Sequence, residues 1–237
     1  MQYLPTENAA RISEIFSSLQ GEGLHLGERH LFIRFEECHI HCVYCDELNK
    51  IGSWMRLEEV VENVLHLEKE EGPHTFISLT GGEPLLYLAF LKPLMQQLKN
   101  AGFRLHLETN GILWKALEEV MPWCDCIAMD MKPPSVTGEK NFDCEHRRFL
   151  EIARQKETFV KIILSKNIVM NEFENQIRIV AEVDPKIPVL LVPISTEIEG
   201  HEDRELMQIL THLQRVGLKW IADVRIVPRF HKILNIR

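Results

Sequence analysis

Short apolar runs alternate with segments of helical periodicity along most of the chain. Seven of these runs are rich in Val, Ile, Leu or Phe and contain few polar residues. They are residues 30–35, 75–79, 104–107, 126–129, 159–164, 189–192 and 222–226. Runs that are apolar on both faces are typical of parallel strands covered by helices. The pattern therefore predicts about six or seven buried parallel strands.

Two of the intervening segments carry apolar residues on one helical face. The first set is Leu57, Val60, Val61, Val64 and Leu65, and the second is Leu206, Ile209, Leu210, Leu213 and Val216. Gly217 stands where a C-terminal cap is expected. Strands that alternate with helices indicate βαβ units with right-handed crossovers. We predict one α/β domain over residues 1–237, an open partial βα barrel, with a doubly wound sheet as the alternative.

Composition and charge limit the kinds of molecule that this protein is expected to bind. The 237 residues carry a formal net charge of -8, without a basic stripe of the kind that binds nucleic acid. No apolar run approaches the length of a membrane span, and the first residues lack the pattern of a signal peptide. These features predict a cytoplasmic protein with neither a nucleic-acid nor a membrane partner.

Polar residues follow three of the predicted strands directly. They form segments 80–83 (Thr-Gly-Gly-Glu), 108–111 (Glu-Thr-Asn-Gly) and 130–132 (Asp-Met-Lys). In a βα barrel the chemistry gathers where strands end and loops begin. The three segments are therefore expected to meet in one site.

Three of the six cysteines lie within eight residues. Cys38, Cys42 and Cys45 have the spacing C-x3-C-x2-C, which lets three thiolates converge on one metal centre. Iron–sulfur clusters commonly use four cysteines, so three suggest a cluster with one open iron. A structural zinc site that adds His39 or His41 is the alternative. The remaining three, Cys124, Cys126 and Cys144, are expected to be core or incidental residues rather than ligands of a second cluster.

The cysteine motif, with Tyr44 before its last cysteine, resembles the radical S-adenosylmethionine superfamily. The resemblance implies a [4Fe-4S] cluster whose open iron binds the methionine group of S-adenosylmethionine, and whose reduction yields a 5'-deoxyadenosyl radical. Segment 80–84 resembles the Gly-Gly-Glu element that holds the methionine amino group. By this match the cofactor-binding residues are Tyr44, Cys45, Asp46, Gly82, Glu83, Glu108, Asp130, Met131 and Lys132.

Flanking motifs resemble the 7-carboxy-7-deazaguanine synthase family of this superfamily. They are segment 15–23, which contains Gln-Gly-Glu-Gly, segment 31–35 and the terminal segment 228–236. The resemblance implies conversion of 6-carboxy-5,6,7,8-tetrahydropterin to 7-carboxy-7-deazaguanine with loss of ammonia. It also implies Mg²⁺, a homodimer, and a flavodoxin-like or other reductant.

The same match assigns substrate-binding residues, namely Leu19, Gln20, Gly21, Glu22, Arg34, Thr80, His231 and Lys232. Glu22 and Arg34 are predicted to be catalytic, Glu22 as an acceptor for ring N–H groups and Arg34 as a fork on the substrate carboxylate. The plainer alternative for Arg34 is a structural ion pair with Glu36 or Glu37.

The sequence departs from the family pattern after the cysteines. Asp46 is followed by Glu47, where the family has a Thr or Ser whose hydroxyl ligates magnesium. A carboxylate is a hard oxygen ligand, so we hypothesise that Glu47 ligates Mg²⁺ itself. Two rival functions remain open at this point: an activating enzyme for a glycyl-radical protein, and a zinc-stabilised binding domain.

Overall fold

The computed structural model describes residues 9–45, 51–194 and 204–230. Within these ranges nine strands form one sheet in the order β3-β1-β2-β4-β5-β6-β7-β8-β9. The strands are β1 (Ala9–Leu19), β2 (Arg29–Phe35), β3 (Ser53–Arg56), β4 (Phe76–Gly81), β5 (Leu105–Thr109), β6 (Cys126–Met131), β7 (Glu157–Leu164), β8 (Val189–Pro193) and β9 (Val224–Ile226).

Helices follow most of the parallel strands. They are α1 (Leu57–Glu71), α2 (Leu88–Asn100), α3 (Trp114–Val120), α4 (Pro134–Thr137), α5 (Asp143–Ala153), α6 (Met170–Val183) and α7 (Arg204–Gly217). No helix in the described ranges is long and apolar enough to cross a membrane.

The seven predicted strands are confirmed as β2 and β4–β9, and the pairings of these seven strands with one another are all parallel. Their order follows the chain without reversal. Right-handed crossovers in an order that never reverses place the helices on one face, so the sheet curves as an open barrel. The doubly wound alternative is therefore wrong.

Strands β1 and β3 were missed by the sequence pattern. β1 pairs antiparallel with both β2 and β3, and its register shifts between Ile12 and Glu14. Ala10 and Ile12 are buried in the core beneath the helices, whereas Phe16 lines the pocket and most other residues of β1 are only partly buried. β3 has four residues, most of them exposed. β3 is the edge strand and β1 lies next to it, and the partly exposed residues of both strands lack the continuous apolar run that identifies a parallel strand.

The two predicted helices form, with local differences. Leu57, Val60 and Val64 are buried beneath α1, whereas Leu65 is 46% exposed. Gly217 is the last residue of α7 rather than a cap beyond it, and a Cβ there would meet Val224 at 3.3 Å. Close packing of the helix end against β9, not a turn, therefore explains this glycine.

The inner face of the barrel has its own small core. Alternate strand residues point away from the helices, and the apolar ones form a cluster of Phe76, Cys126, Ala128, Val136, Phe159, Ile163, Leu190 and Val192. The loop of residues 20–28 folds into this space. Leu24 packs on the cluster, and a Cβ on Gly23 would lie 2.6 Å from the Phe159 ring. The barrel is thus filled by its own β1–β2 loop.

Candidate active site

One pocket opens at the carboxyl ends of the parallel strands. Its empty volume, solvent at the mouth included, is about 1160 Å³, enough for two small ligands side by side. It is lined by fourteen of the predicted residues, namely Leu19, Gln20, Gly21, Glu22, Arg34, Cys38, Cys42, Tyr44, Cys45, Thr80, Gly82, Glu108, Asp130 and Lys132. The tertiary structure therefore brings the cysteine motif and the Gln-Gly-Glu-Gly motif into one space.

The cysteine loop is held by backbone contacts at its middle. The Cys45 N–H donates to the Cys42 carbonyl over 3.0 Å, and the Val43 N–H donates to the Thr137 carbonyl over 3.0 Å. All three cysteines are free thiols. Burial raises the pKa of the Cys38 and Cys42 thiols, and iron would bind them as thiolates. Three uncommitted sulfurs on one pocket wall fit an iron–sulfur cluster.

Segment 81–83 packs on the backbone that leads into the cysteine loop. The Gly82 N–H donates to the Phe35 carbonyl over 2.8 Å, and the Glu83 N–H donates to the Glu37 carbonyl over 2.7 Å. A Cβ at position 82 would lie 2.1 Å from the Glu37 carbonyl oxygen. Only glycine allows this approach, which fixes the end of β4 against the cysteine loop.

Glu83 lies beneath the pocket instead of lining it. Its carboxylate is fully buried and accepts hydrogen bonds from Thr109 Oγ1 at 2.9 Å, from the Asn110 N–H at 2.8 Å and from the Leu85 N–H at 3.1 Å. Burial raises the pKa of Glu83 to about 7. The Glu83 carboxylate thus orients Thr109 and Asn110 at the pocket, and its contact with the methionine amino group stays a prediction.

We expect Glu83→Gln to lower the free energy of unfolding by about 1–3 kcal/mol, because an amide NH₂ would face donors that now reach a carboxylate. A raised folded-state pKa means that the wild-type contribution is complete below about pH 4.5 and declines as the pH rises through about 7. The difference between the two proteins should therefore be largest at low pH.

Urea unfolding of the cofactor-free protein between pH 5 and 8 measures this effect. Exposed Glu118 on α3 supplies the control variant Glu118→Gln, for which we expect no change. A pH-independent difference for Glu83→Gln would contradict the assignment.

Lys161 is the centre of the charged floor of the pocket. Its ammonium lies 3.0 Å from Asp130 Oδ1, 3.1 Å from Glu22 Oε2 and 3.9 Å from Glu108 Oε2. Burial opposes its charge, but the carboxylates of Asp130, Glu22 and Glu108 outweigh that effect and raise the pKa of Lys161. The lysine therefore stays charged and holds three carboxylates from three separate segments together.

Asp130 bridges this floor to the cofactor side of the pocket. Burial alone would raise its pKa, yet the ammonium groups of Lys132, 3.0 Å away, and Lys161 lower it to about 2. The Lys132 ammonium also lies 5.8 Å from the centre of the Tyr44 ring. The Tyr44 hydroxyl is buried without a hydrogen-bond partner among the described residues. An unsatisfied hydroxyl beside a cation fits a polar ligand at this wall.

Met131 differs from its neighbours. Its side chain is fully buried in the core between sheet and helices and does not line the pocket. Successive side chains on a strand point to opposite faces, so Asp130 and Met131 cannot both face the pocket. Any contact of Met131 with the cofactor would therefore be made by its backbone.

The predicted substrate residues are interconnected. Gln20 Nε2 donates to Glu108 Oε1 over 2.9 Å, and Thr80 Oγ1 donates to Glu108 Oε2 over 3.3 Å. Arg34 lies over the Phe16 ring at 5.0 Å and pairs with Glu14 at 3.2 Å, its cross-strand neighbour on β1. Arg34 thus pairs with Glu14 on β1, a partner that differs from the Glu36 or Glu37 of the structural alternative, and Glu36 pairs with Arg11.

Eight residues that line the pocket were not predicted as site residues, and Lys161 and Asn110 are the two with the most informative contacts. Lys161 is the single charged position in the apolar stretch of β7 from Phe159 to Leu164, and that isolation was a usable signal. Asn110 is buried at the pocket, and its amide donates toward Cys38 Sγ at 3.9 Å.

Four predicted site residues lie outside the described residues, namely Asp46, Glu47, His231 and Lys232. Their roles and the magnesium hypothesis therefore stay predictions.

Comparisons with known proteins agree with this geometry. The Radical SAM superfamily model matches residues 32–132, which include the cysteines and all three polar strand-end segments. A 7-carboxy-7-deazaguanine synthase of Geobacter sulfurreducens is 32% identical over 95% of this chain and 97% of its own length. The enzyme of the same name from Methanopyrus kandleri is 31% identical over 94% of this chain and 93% of its own length.

The chain belongs to the 7-carboxy-7-deazaguanine synthase family. A crystal structure of QueE from Escherichia coli shares the fold, with a TM-score of 0.64 at 19% identity, over 94% of this chain and 95% of that one. Family membership confirms the predicted radical S-adenosylmethionine enzyme, with its [4Fe-4S] cluster and S-adenosylmethionine. The zinc-stabilised binding domain is thereby left without support.

Proposed function

We propose that this chain converts 6-carboxy-5,6,7,8-tetrahydropterin to 7-carboxy-7-deazaguanine with release of ammonia. The observation that carries the proposal is the shared pocket, in which the cysteines face the family's Gln-Gly-Glu-Gly segment. A bound cluster supplies the electron that cleaves S-adenosylmethionine reductively. Cofactor and substrate would therefore lie next to each other, as hydrogen abstraction from the pterin requires.

Substrate recognition is assigned to the face made by β1, β2 and the 20–28 loop. Gln20 and the backbone at Gly21 offer amide groups to the pterin edge, and Glu22 accepts from ring N–H groups. The guanidinium of Arg34 can bind the substrate carboxylate through two parallel hydrogen bonds. Glu14 beside Arg34 holds the fork in place without removing its charge.

Charge balance supports the same assignment. Glu22 lies between two cations, 3.1 Å from the Lys161 ammonium and 3.4 Å from Arg229 Nε. The two cations offset the negative charge of the Glu22 carboxylate, whose side chain is only 15% exposed. Arg229 also lines the pocket, so we assign it a role on the substrate side.

Further parts of the proposal follow from the family resemblance. They are a requirement for Mg²⁺, with Glu47 as ligand, a flavodoxin-like or other reductant, and a homodimer. We also propose a cytoplasmic location, since free thiols and an iron–sulfur cluster suit a reducing compartment.

The direct test is incubation of the reconstituted, reduced protein with carboxytetrahydropterin, S-adenosylmethionine and Mg²⁺ under anaerobic conditions. We expect 7-carboxy-7-deazaguanine to form, and its yield to fall when Mg²⁺ is omitted. Cleavage of S-adenosylmethionine without pterin conversion would overturn the substrate assignment. The alternative function, an activating enzyme for a glycyl-radical protein, would then be tested with a protein substrate.

Arg34→Ala is expected to raise the KM for the carboxypterin about tenfold to a hundredfold, because one charge-assisted contact of about 1.5–3 kcal/mol is lost. The iron content should not change. Steady-state kinetics measures the effect. Arg29, exposed at the opposite end of β2, supplies the control variant Arg29→Ala, which should keep a normal KM. A normal KM for Arg34→Ala would show that its pairing with Glu14 is purely structural.

A further inference from the structure

A second group of ligand-type side chains lies at the opposite end of the barrel, where the parallel strands begin. His25 comes from the 20–28 loop, Cys126 is the first residue of β6, and Glu157 is the first residue of β7. One ligand atom of each lies within 4.8 Å of the others. We propose that these three side chains bind a divalent transition-metal ion of the Zn²⁺ type.

The distances match the edges of a tetrahedral zinc site. His25 Nε2 lies 3.6 Å from Cys126 Sγ and 3.1 Å from Glu157 Oε1. Zinc bound at about 2.0–2.1 Å to nitrogen or oxygen and about 2.3 Å to sulfur would give edges of about 3.6 Å and about 3.4 Å. Mixed imidazole, thiolate and carboxylate ligands are also the set that zinc accepts. An ion could thus bind with only small side-chain movements.

The outer contact of His25 supports a metal-binding orientation. Its Nδ1 lies 3.0 Å from Glu28 Oε1, so a proton on Nδ1 can be donated to that carboxylate. Nε2 then presents its lone pair toward Cys126 and Glu157. Histidines that bind metals commonly donate their other nitrogen to a carboxylate in this way. The metal-free alternative is a His25 imidazolium shared by two carboxylates.

Two further histidines lie close to His25. The His30 and His106 rings are buried, and their centres lie 6.1 Å and 5.8 Å from that of His25. Both turn Nδ1 toward the Ser78 hydroxyl, at 2.8 Å and 3.2 Å. His106 Nε2 lacks a hydrogen-bond partner among the described residues, and His30 Nε2 lies 3.7 Å from Glu28 Oε2. A buried nitrogen without a partner is uncommon, and the ring that carries it lies beside His25.

An ion at this site would fasten the loop that carries the substrate residues. The loop is closed at its base by two backbone hydrogen bonds, from the Gln20 N–H to the Glu28 carbonyl and from the Gly27 N–H to the Gln20 carbonyl, and His25 lies at its far end. A bond from His25 to β6 and β7 would fix the loop inside the barrel, with Gln20 and Glu22 at the other end of the same segment. Glu157 is 43% exposed on its side chain, so the ion can enter from solvent.

The test uses the anaerobically reconstituted holoenzyme, so that the cluster already occupies Cys38, Cys42 and Cys45. The protein is equilibrated with chelator-buffered Zn²⁺ and analysed for zinc and iron. We expect one zinc per chain with unchanged iron. X-ray absorption at the zinc edge should give one sulfur at about 2.3 Å and lighter ligands at about 2.0 Å. Absence of bound zinc, or a shell of three sulfurs, would overturn the proposal.

Matched variants locate the ion. Cys126→Ser and His25→Gln should weaken zinc binding more than about a hundredfold, and Glu28→Gln by about tenfold to a hundredfold through the outer contact. Cys124→Ser is the control, since Cys124 is equally buried two residues away but faces the outer core. Equal zinc affinity in Cys126→Ser and Cys124→Ser would reject the site. The X-ray absorption result on the wild type decides the matter if a variant fails to fold. None of these measurements depends on the pterin assignment.

Discussion

Replacing Cys42 by alanine is expected to remove the iron–sulfur cluster and S-adenosylmethionine cleavage together. A cubane on this chain has three cysteine ligands, and two are too few to retain it during purification. Iron should fall from about four per chain to background, with loss of the brown colour. Cleavage of S-adenosylmethionine after chemical reduction should become undetectable.

Cys144→Ala is the matched control for this experiment. Cys144 is an exposed free cysteine on α5 and does not line the active-site pocket. We expect full iron content and full cleavage in this variant. Retention of iron and cleavage by Cys42→Ala would end the cluster assignment, and the radical mechanism with it.

The second large effect is expected from Lys161→Met. The substitution leaves Glu22, Asp130 and Glu108 near one another in the buried floor without their shared cation. Removal of one partner of a buried ion pair costs about 3–5 kcal/mol, because the remaining charge is uncompensated. We expect a loss of that size in the free energy of unfolding. Pterin conversion should also fall to background, since Glu22 and Gln20 would lose their positions.

The pH dependence tests the same network. The lowered pKa of Asp130 contributes stability that is present above about pH 4 and is lost as the pH falls through about 2. In Lys161→Met this contribution should be smaller, because one of the two ammonium groups that lower the pKa is gone. Acid unfolding, followed by circular dichroism, should therefore begin at a higher pH in the variant.

Lys92→Ala is the control for Lys161→Met. Lys92 pairs with Glu119 at 2.8 Å, but both side chains are at least 40% exposed. Exposed pairs contribute at most about 1 kcal/mol. An equally small effect for Lys161→Met would show that water or a rearranged side chain replaces its charge.

The pattern of apolar residues along the chain was sufficient to predict the parallel strands of the barrel. Most of the seven parallel strands are covered on both faces and leave a continuous apolar run, and the runs predicted the strands to within a few residues. The exception is the edge strand β9, in which Arg225 is exposed. The cysteine spacing and segment 80–83 are likewise short patterns formed by residues that are close together in the chain. Three thiolates from one short loop can bind the same metal centre only when their cysteines are a few residues apart. The close backbone contact at position 82 allows only glycine. These constraints act between near neighbours in the chain, so the sequence displays them.

Only the tertiary structure decided which separate segments meet. β1 became a sheet strand because β2 and β3 offered it hydrogen bonds, and its half-exposed residues carry no strong pattern. Lys161 became the centre of the pocket floor because three carboxylates converge on it from β5, β6 and the 20–28 loop. Glu83 accepts hydrogen bonds from Thr109 and Asn110, which only the fold brings next to it. Charge and hydrogen-bond partners that are distant in sequence are fixed by strand order and register, which depend on the packing of the whole barrel.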